Sequence, residues 1–388
     1  MNNDNHLDAI VIGIGGMGSA ALYQLAVRGQ RVLGIEQFSI GHELGSSHGL
    51  SRIIRMAYFE DPSYVPLLRR SYQLWRDLEV LSDDSLLYIT GGLDIGPDGS
   101  SLLEGSLKSC IEHQLQHEIL TGRDLGIRFP GFVVPNNFNA VYQPDAGFLV
   151  PEKCIELYTA MAEEHGACIH QNEKVLDIDS ACDPVKITTD KGVYTSDVVV
   201  ITTVAWTAKL IPDYQKLAIP ERQVLLWTQT LSPELYTPDK FPIFLMMGSD
   251  DDFDNEGHFY GYYGFPELSS TGFKLGKYRH LRQVIDPDEM DRIPNQEDEI
   301  LLRSFIEKYL PGAAGDTLAM KACIFTNTPD GHFLIDFVNK KKQNVIVASG
   351  FSGHGFKFAR VVGEIVADLS LEKRTNHNIE MFKLERFL

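Results

Sequence analysis

Three glycines near the start of the chain have the spacing of a phosphate-binding turn. Gly13, Gly15 and Gly18 follow an apolar run at 7–13 and open a stretch of helical composition. The first permits a tight turn, the second lets the backbone approach a pyrophosphate, and the third lets helix and strand pack closely. The helix N-terminus favours phosphates, and Glu36, ending the next apolar run, can accept hydrogen bonds from a ribose. The pattern predicts a bound dinucleotide; the alternative is a strand–helix–strand unit with a purely structural role.

Two arginines three positions apart could bind an anion. Arg52 and Arg55 stand in the sequence SRIIR, where two apolar residues separate them and a glycine-rich turn precedes them. This setting predicts a partly buried location, whereas the alternative is a solvated basic face. A planar guanidinium is suited to binding a carboxylate through two parallel hydrogen bonds.

The elements that position these residues alternate between strands and helices. Apolar runs at 7–13, 31–36, 197–203 and 344–350 predict strands of a parallel sheet, with helices at 19–28 and from about 356 to 369. Short aromatic and β-branched runs between 216 and 285 predict an antiparallel sheet, followed by an amphipathic helix at 295–310. The expected fold is α/β (α+β overall), with a discontinuous nucleotide domain and a second, inserted domain. The expected boundaries are 1–88, 145–215 and 320–388 for the nucleotide domain, and 89–144 and 216–319 for the inserted one.

Composition excludes several function classes. The 388-residue chain has 35 Lys and Arg against 53 Asp and Glu, a formal charge of −18, which argues against nucleic-acid binding and a polybasic membrane anchor. No apolar stretch is long enough for a membrane span, and the polar N-terminus at 1–6 lacks a signal-peptide pattern. Five cysteines without a C-x-x-C pair indicate reduced thiols, hence a cytoplasmic protein. The His and Cys spacings fit no metal-ligand set, so no metal is expected.

Several motifs together resemble one family. The chain is similar over nearly its whole length to the monomeric sarcosine oxidase and N-methyltryptophan oxidase family, within the D-amino-acid-oxidase-like flavoenzymes. The motifs are GIGGMGSAALYQLAVRG at 13–29, GSSHGLSRIIRMAY at 45–58, YYGFP at 262–266, FKLG at 273–276, the segment around Cys323 with DGHFLID at 330–336, and GFSGHGFKF at 350–358.

This resemblance implies a cofactor and a reaction. The cofactor is FAD, in a domain of glutathione-reductase type, attached by a thioether from Cys323 to the flavin 8α-methyl carbon. The reaction is oxidation of the secondary amine of an N-alkyl amino acid to an imine, which water hydrolyses, while dioxygen reoxidises the flavin and yields hydrogen peroxide. The implied partners are this small-molecule substrate and dioxygen, and the implied state is a monomer.

The resemblance also assigns roles to charged residues. Arg52 is expected to lie against the flavin, and Arg55 and Lys357 to bind the substrate carboxylate. Lys274 matches the family lysine that activates dioxygen, because a cation near the flavin would stabilise superoxide. His354 is expected to contact the flavin or the pocket; the alternative is a hydrogen-bonded core histidine.

Further positions complete the expected site. Tyr263 matches the pocket tyrosine, and Tyr58 is a second candidate. The catalytic residues are expected to be Lys274, Arg52, Tyr263 and His354. The cofactor-binding residues are expected to be Gly13, Ile14, Gly15, Gly16, Met17, Gly18, Glu36, Gln37, Ser46, Ser47, His48, Arg52, Val175, Cys323, Gly353, His354, Gly355 and Lys357.

The chain departs from the family pattern at two pocket positions. Phe325 stands where the sarcosine enzymes carry a tyrosine, and Tyr278 where they carry a histidine, which His280 could replace. A phenyl ring lacks the donor of a phenol, so the pocket is expected to be less polar and to admit a bulkier N-substituent. The alternatives are an oxidase of a cyclic imino acid or glycated amino acid, an NAD-dependent dehydrogenase, and a non-catalytic flavoprotein.

Overall fold

A computed structural model describes residues 6–248, 259–268 and 271–388, so residues 1–5 of the polar N-terminus lie outside it. The strands are β1 (His6–Ile12), β2 (Val32–Ile35), β3 (Arg52–Ile54), β4 (Leu87–Ile89), β5 (Gly92–Pro97), β6 (Glu118–Thr121), β7 (Phe138–Gln143), β8 (Gly147–Leu149), β9 (Cys168–His170), β10 (Val175–Asp179), β11 (Val185–Thr189), β12 (Val193–Ile201), β13 (Ile219–Thr228), β14 (Ile243–Met246), β15 (Tyr262–Phe265), β16 (Phe273–Lys277), β17 (Thr317–Asn327), β18 (Leu334–Phe337) and β19 (Val345–Ser349). The helices are α1 (Gly16–Val27), α2 (Val65–Ser82), α3 (Ser101–Glu112), α4 (Gly122–Arg128), α5 (Pro151–Glu164), α6 (Thr207–Leu210), α7 (Gln296–Tyr309) and α8 (Ala359–Glu372).

The first sheet carries the glycine turn. Its strands run in the order β10-β11-β12-β1-β2-β9, with β18 and β19 joined to β12, and β9, β2, β1, β12 and β19 pair in parallel. Helices α1, α2, α5 and α8 contribute to the main apolar core against this sheet. Gly13 has a φ of +87°, and a Cβ at Gly18 would lie 1.8 Å from the Gly13 carbonyl oxygen. Both glycines are therefore required for the turn between β1 and α1.

The second sheet is almost entirely antiparallel. Its order is β17-β13-β16-β15-β14-β5-β7-β6, and only the β14–β5 pair is parallel. Helix α7 packs its apolar side on this sheet, with the Phe305 ring stacked 3.9 Å from that of Tyr262. A capping box at Asn295 and Asp298 begins α7, so the predicted amphipathic helix is confirmed. The predicted fold class, a Rossmann-like nucleotide domain with an inserted antiparallel sheet, is confirmed as well.

One expected domain boundary falls inside a strand. All of β17 pairs with β13, from Thr317 to Asn327, so the strand that carries Cys323 belongs to the antiparallel sheet. The sequence-based boundary had placed residues 320–327 with the nucleotide domain. Because β17 is the edge strand of the second sheet, its residues can also line a cavity that faces the first sheet.

A small third sheet links the two larger ones. β8 pairs on one side with β3, which contains Arg52, and on the other with β4. None of the helices in the described ranges is long and apolar enough to cross a bilayer.

Candidate active site

Two cavities meet at the glycine turn. Each encloses somewhat under 900 Å³, about 870 and 880 Å³, and both are partly open. They share the lining residues Gly15, Ser46, Ser47, Thr202 and Val204, so they form one continuous channel. The first cavity extends along the carboxyl ends of β1, β2 and β12, and the second runs towards β17 and the start of α8.

The turn leaves room for a phosphate at the start of α1. A Cβ at Gly15 would find only Ser47 Oγ within 4 Å, at 3.8 Å, so this backbone faces open space. The Gly16 N–H donates to Ser47 Oγ at 3.2 Å. The helix N-terminus and the Ser47 loop therefore form the anion-binding end of the first cavity.

Glu36 closes the other end of the turn. Its side chain is buried and accepts hydrogen bonds from the Ile14 N–H at 2.8 Å and the Phe38 N–H at 3.0 Å. Gln37 and Val175 line the same cavity. The turn, Glu36 and this wall fit the pyrophosphate, ribose and adenine of a dinucleotide.

His48 lies buried beside the second cavity's loop. Neither of its ring nitrogens has a hydrogen-bond partner among the described residues. Burial, followed by the charge of Arg52, lowers its pKa to about 3, so the ring is neutral. Because buried polar atoms are rarely left unpaired, these nitrogens are consistent with a bound polar group at this position.

Cys323 on β17 of the second sheet lies close to Arg52 on β3 of the small third sheet. The Cys323 thiol is buried on β17, and Arg52 Nη2 lies 3.8 Å from its sulfur. The guanidinium is held by the carbonyls of Ser51 at 2.8 Å and Ser46 at 2.9 Å. Arg52 therefore places a fixed positive charge beside the Cys323 sulfur.

Lys274 lies behind the loop that precedes β3. Its Nζ donates to the carbonyls of Gly49 at 2.6 Å and Ser51 at 2.8 Å, and to Ser51 Oγ at 3.0 Å. It also lies 4.3 Å from the centroid of the Phe265 ring. Burial, with a further contribution from Arg52, lowers its pKa well below the ordinary range. Lys274 is 2% exposed and is one layer behind the cavity-lining residues.

The two expected carboxylate-binding cations have different surroundings. Lys357 lines the second cavity and donates to the His354 carbonyl at 2.8 Å. Burial and the charge of Arg55 lower its pKa to about 7. Arg55 is buried behind this cavity and binds both oxygens of Glu60, at 2.9 and 2.7 Å. A carboxylate of the protein itself, that of Glu60, therefore pairs with Arg55 Nη2 beside the two expected cations.

Three aromatic rings form one wall of the second cavity. The Tyr278 ring centroid lies 5.2 Å from that of Tyr263 and 5.7 Å from that of Phe325. Burial raises the pKa of both tyrosines, which therefore remain phenols. His280 is not brought to this wall: its Nε2 lies 2.8 Å from Asp298, in a cluster with Arg222. Tyr278 thus occupies the place for which His280 was the alternative.

His354 joins the cavity to a buried tyrosine. Its Nε2 lies 3.0 Å from the Gly331 carbonyl, which can only accept, so Nε2 carries the proton. The Tyr58 hydroxyl then donates to Nδ1 at 2.6 Å. Burial lowers the pKa of His354 to about 3, so the ring is neutral. Both sequence-based alternatives hold together here, since His354 is a hydrogen-bonded core histidine and also lines the cavity.

The structure places the predicted residues in three groups. Those lining a cavity are Gly13, Ile14, Gly15, Gly16, Met17, Glu36, Gln37, Ser46, Ser47, Arg52, Val175, Tyr263, Tyr278, Phe325, Gly353, His354, Gly355 and Lys357. Those buried directly behind the lining are Gly18, His48, Arg55, Tyr58, Lys274 and Cys323, and His280 lies apart.

Sequence reasoning missed Glu60, Asp94 and Gln143. Glu60 binds Arg55, Gln143 binds the turn that follows it, and Asp94 binds Gln143. Their sequence context carries no signal of burial beyond the apolar neighbours of Asp94 on β5. Among the described residues, no group of three or more His, Cys, Asp or Glu could hold a metal ion.

Comparisons with known proteins agree with this geometry. Residues 8–369 match the family model described as FAD dependent oxidoreductase. The chain is 39% identical to monomeric sarcosine oxidase of Bacillus sp. (strain B-0618), over 98% of this chain and 96% of that protein. It is 35% identical to N-methyl-L-tryptophan oxidase of Yersinia pestis (strain Pestoides F), over 98% of this chain and 99% of that protein.

Solved structures share the fold at lower identity. NikD, described as an unusual amino acid oxidase essential for nikkomycin biosynthesis, superposes with a TM-score of 0.83 at 22% identity, covering 98% of this chain and 97% of that one. L-proline dehydrogenase from P. horikoshii superposes with a TM-score of 0.81 at 23% identity, with the same coverage of 98% and 97%.

The family match favours FAD over NAD, the alternative weighed from the sequence, and the glycine turn, Glu36 and the continuous channel have the shape that this cofactor requires. The chain therefore belongs to the family of FAD dependent oxidoreductases that includes monomeric sarcosine oxidase and N-methyl-L-tryptophan oxidase.

Proposed function

We propose that this protein oxidises the secondary amine of an N-alkyl amino acid, with dioxygen as the final acceptor. The observation that carries the proposal is the second cavity, where buried Lys357 and three aromatic rings face the channel of the dinucleotide turn. The names of the two curated relatives, a sarcosine oxidase and an N-methyl-L-tryptophan oxidase, support the same substrate class.

The reaction removes one N–H and one C–H bond from the substrate and leaves a C=N bond. Bound FAD would accept the two electrons and pass them to dioxygen, which becomes hydrogen peroxide. Water then hydrolyses the imine to an aldehyde and an amino acid. The protein's part in this chemistry is to hold the amino acid in one orientation beside the cofactor.

Two cations are proposed to hold the substrate carboxylate. Lys357 already borders the cavity, and its protonated form would donate to one carboxylate oxygen. Arg55 would bind the other oxygen once Glu60 releases the guanidinium, since Arg55 Nη2 donates to both Glu60 oxygens in the present arrangement. Tyr263, Tyr278 and Phe325 would contact the N-alkyl group or the side chain.

The remaining residues are proposed to serve the cofactor and dioxygen. The Gly15 turn, Ser47 and Glu36 would hold pyrophosphate and ribose, and Arg52 and His354 would contact the flavin. Cys323 would form the thioether, in which one S–C bond replaces an S–H and a C–H bond and the two electrons reduce the flavin. Lys274 would stabilise the negative charge that develops on dioxygen. We expect a cytoplasmic monomer.

The test combines mass and turnover. Intact mass under denaturing conditions should exceed the chain mass by that of FAD, and Cys323→Ser should abolish this difference. A panel of N-methyl amino acids, cyclic imino acids and glycated amino acids, mixed with the yellow protein under nitrogen, should show bleaching with the first class, and peroxide should appear when air is admitted. Bleaching only by a cyclic or glycated amine would overturn the substrate class, and bleaching by none would overturn the proposed function.

A further inference from the structure

A buried carboxylate lies behind the proposed substrate site and has no part in the chemistry described so far. Asp94 stands on β5, is 1% exposed, and its Oδ2 accepts from Ser106 Oγ at 2.6 Å and from Gln143 Nε2 at 3.2 Å. Burial raises its pKa to about 6. A buried carboxylate is costly unless its hydrogen bonds and nearby charges compensate for lost hydration.

Gln143 connects this carboxylate to the turn that follows Arg55. The Gln143 Oε1 atom accepts from the Met56 N–H at 3.2 Å and from the Ala57 N–H at 2.6 Å. The Arg55 guanidinium in turn donates to the Ala57 carbonyl. The 56–57 turn is therefore fixed by hydrogen bonds from both sides, one set from Gln143 on β7 and the other from Arg55.

Asp94 determines which way the Gln143 amide points. An amide has one acceptor end and one donor end, and the two backbone N–H groups of the turn need the acceptor. A carboxylate is acceptor-only, so it binds the Nε2 end and leaves Oε1 facing the turn. A neutral side chain at position 94 could satisfy either end and would not enforce this orientation.

Asp94 also balances the buried cations. Asp94 interacts electrostatically with charged and titratable groups from several segments of the chain. These groups are Arg55, Glu60, Cys110, Tyr278 and Lys357. The negative charge of Asp94 favours the protonated form of both Arg55 and Lys357. When Glu60 gives way to a substrate carboxylate, Asp94 remains as the protein's own counter-ion.

We propose that Asp94 and Gln143 form a positioning pair, which fixes Arg55 through the 56–57 turn and keeps the two carboxylate-binding cations charged. This inference rests on the proposed function, because it assumes that the site binds a carboxylate. Neither residue touches the reacting atoms, so their effect appears in ligand affinity and in its pH dependence.

The experiment measures the dissociation constant of propionate for the FAD-loaded protein, from the change in flavin absorbance between pH 6 and 9. The variants are Asp94→Asn, Gln143→Leu and the exchange Asp94→Asn/Gln143→Glu, which reverses the roles of carboxylate and amide. The matched control is Asp98→Asn, since Asp98 accepts from Asn139 at 2.9 Å between the same two chain segments but at an exposed position. Each variant's melting temperature and flavin content are recorded alongside.

Asp94→Asn should weaken propionate binding about tenfold, as expected for misplacing one charge-assisted hydrogen bond. It should also move the loss of binding at high pH to a lower pH, because Lys357 loses a favourable charge. Gln143→Leu should weaken binding without changing the pH at which binding is lost. The exchange Asp94→Asn/Gln143→Glu should restore the affinity to within about threefold of the wild type. Asp98→Asn should change neither quantity.

Equal affinity and pH profile in the wild type and Asp94→Asn would overturn the positioning role alone. If Asp94→Asn does not fold, an exchange variant that folds but fails to restore binding would overturn it. Propionate binding without bleaching by any N-alkyl amino acid would overturn only the proposed function, and a wild-type protein that binds no carboxylate would overturn both.

Discussion

If Lys357 binds the substrate carboxylate as proposed, we expect carboxylate binding to depend on pH around neutrality. Its ammonium group is buried, has one hydrogen bond to the His354 carbonyl, and faces the charge of Arg55. These surroundings disfavour the charged form and bring its pKa down to about 7. Only the charged form attracts a carboxylate, so binding is strongest below pH 7 and is lost as the pH rises through 7.

The size of the effect follows from the titration. With a pKa of about 7, roughly half of Lys357 is protonated at pH 7 and about one part in eleven at pH 8. The dissociation constant should therefore rise about fivefold between pH 7 and pH 8 and about ninefold between pH 8 and pH 9. Lys357→Met should give a flat profile, with binding at pH 6 weakened by roughly 10- to 150-fold, the equivalent of one hydrogen bond to a charged group.

The assay is propionate binding to the FAD-loaded protein, read from flavin absorbance. Propionate lacks the amine of a substrate, so its own charge stays constant across the range and the slope reports the protein. Lys341→Met, at an exposed turn, is the control and should reproduce the wild-type profile. A wild-type constant that does not change between pH 6 and 9 would refute the reasoning, and so would an unchanged slope in Lys357→Met.

Three further substitutions test other parts of the site. Lys274→Met should slow reoxidation of the reduced flavin by roughly 100-fold or more in stopped flow, because it removes the buried amino group proposed to stabilise the charge that develops on dioxygen. Anaerobic reduction by substrate should survive, and equal loss in both steps would contradict the role. Glu36→Ala leaves the buried N–H of Ile14 and the partly buried N–H of Phe38 without their acceptor and should lower the free energy of unfolding in urea by about 1–3 kcal/mol, whereas exposed Glu372→Ala should change it by less than about 0.5 kcal/mol. Asp298→Ala removes the partner of buried Arg222 and should cost about 3–5 kcal/mol by the same measurement, so a loss below about 1 kcal/mol would show that the ion pair is dispensable.

The local patterns of the sequence determined much of the fold. The spacing of Gly13, Gly15 and Gly18 predicted the turn between β1 and α1. Glycine is required at position 18 because a Cβ there would lie 1.8 Å from the Gly13 carbonyl oxygen. Continuous apolar runs predicted the parallel strands, and the short aromatic and β-branched runs after residue 216 predicted the antiparallel sheet. These features depend on neighbours along the chain, so they can be read from it.

The resemblance supplied most of the candidate site, but it could not supply the pairing of charges. Glu60 and Asp94 are as acidic in sequence as any surface residue, yet Glu60 pairs with Arg55 and Asp94 is buried near enough to interact with the charge of Arg55. His280 and Tyr278 are two positions apart, and only the tertiary structure decided that Tyr278 borders the cavity while His280 turns to Asp298. The sheet to which Cys323 belongs was likewise decided by the pairing of β17 with β13.

The physical reason for this division is the range of the interactions involved. Turn geometry and strand periodicity are determined over a few residues, by sterics and by the alternation of apolar side chains. The pKa of Lys357 depends on burial and on the charges of Arg55, Glu60 and Asp94, which come from distant segments of the chain. The pairing of Arg55 with Glu60 depends on how the chain folds between them. The sequence alone thus determined the turn, the strands and the residues available for chemistry, and only the folded structure decided which of those charges are already neutralised.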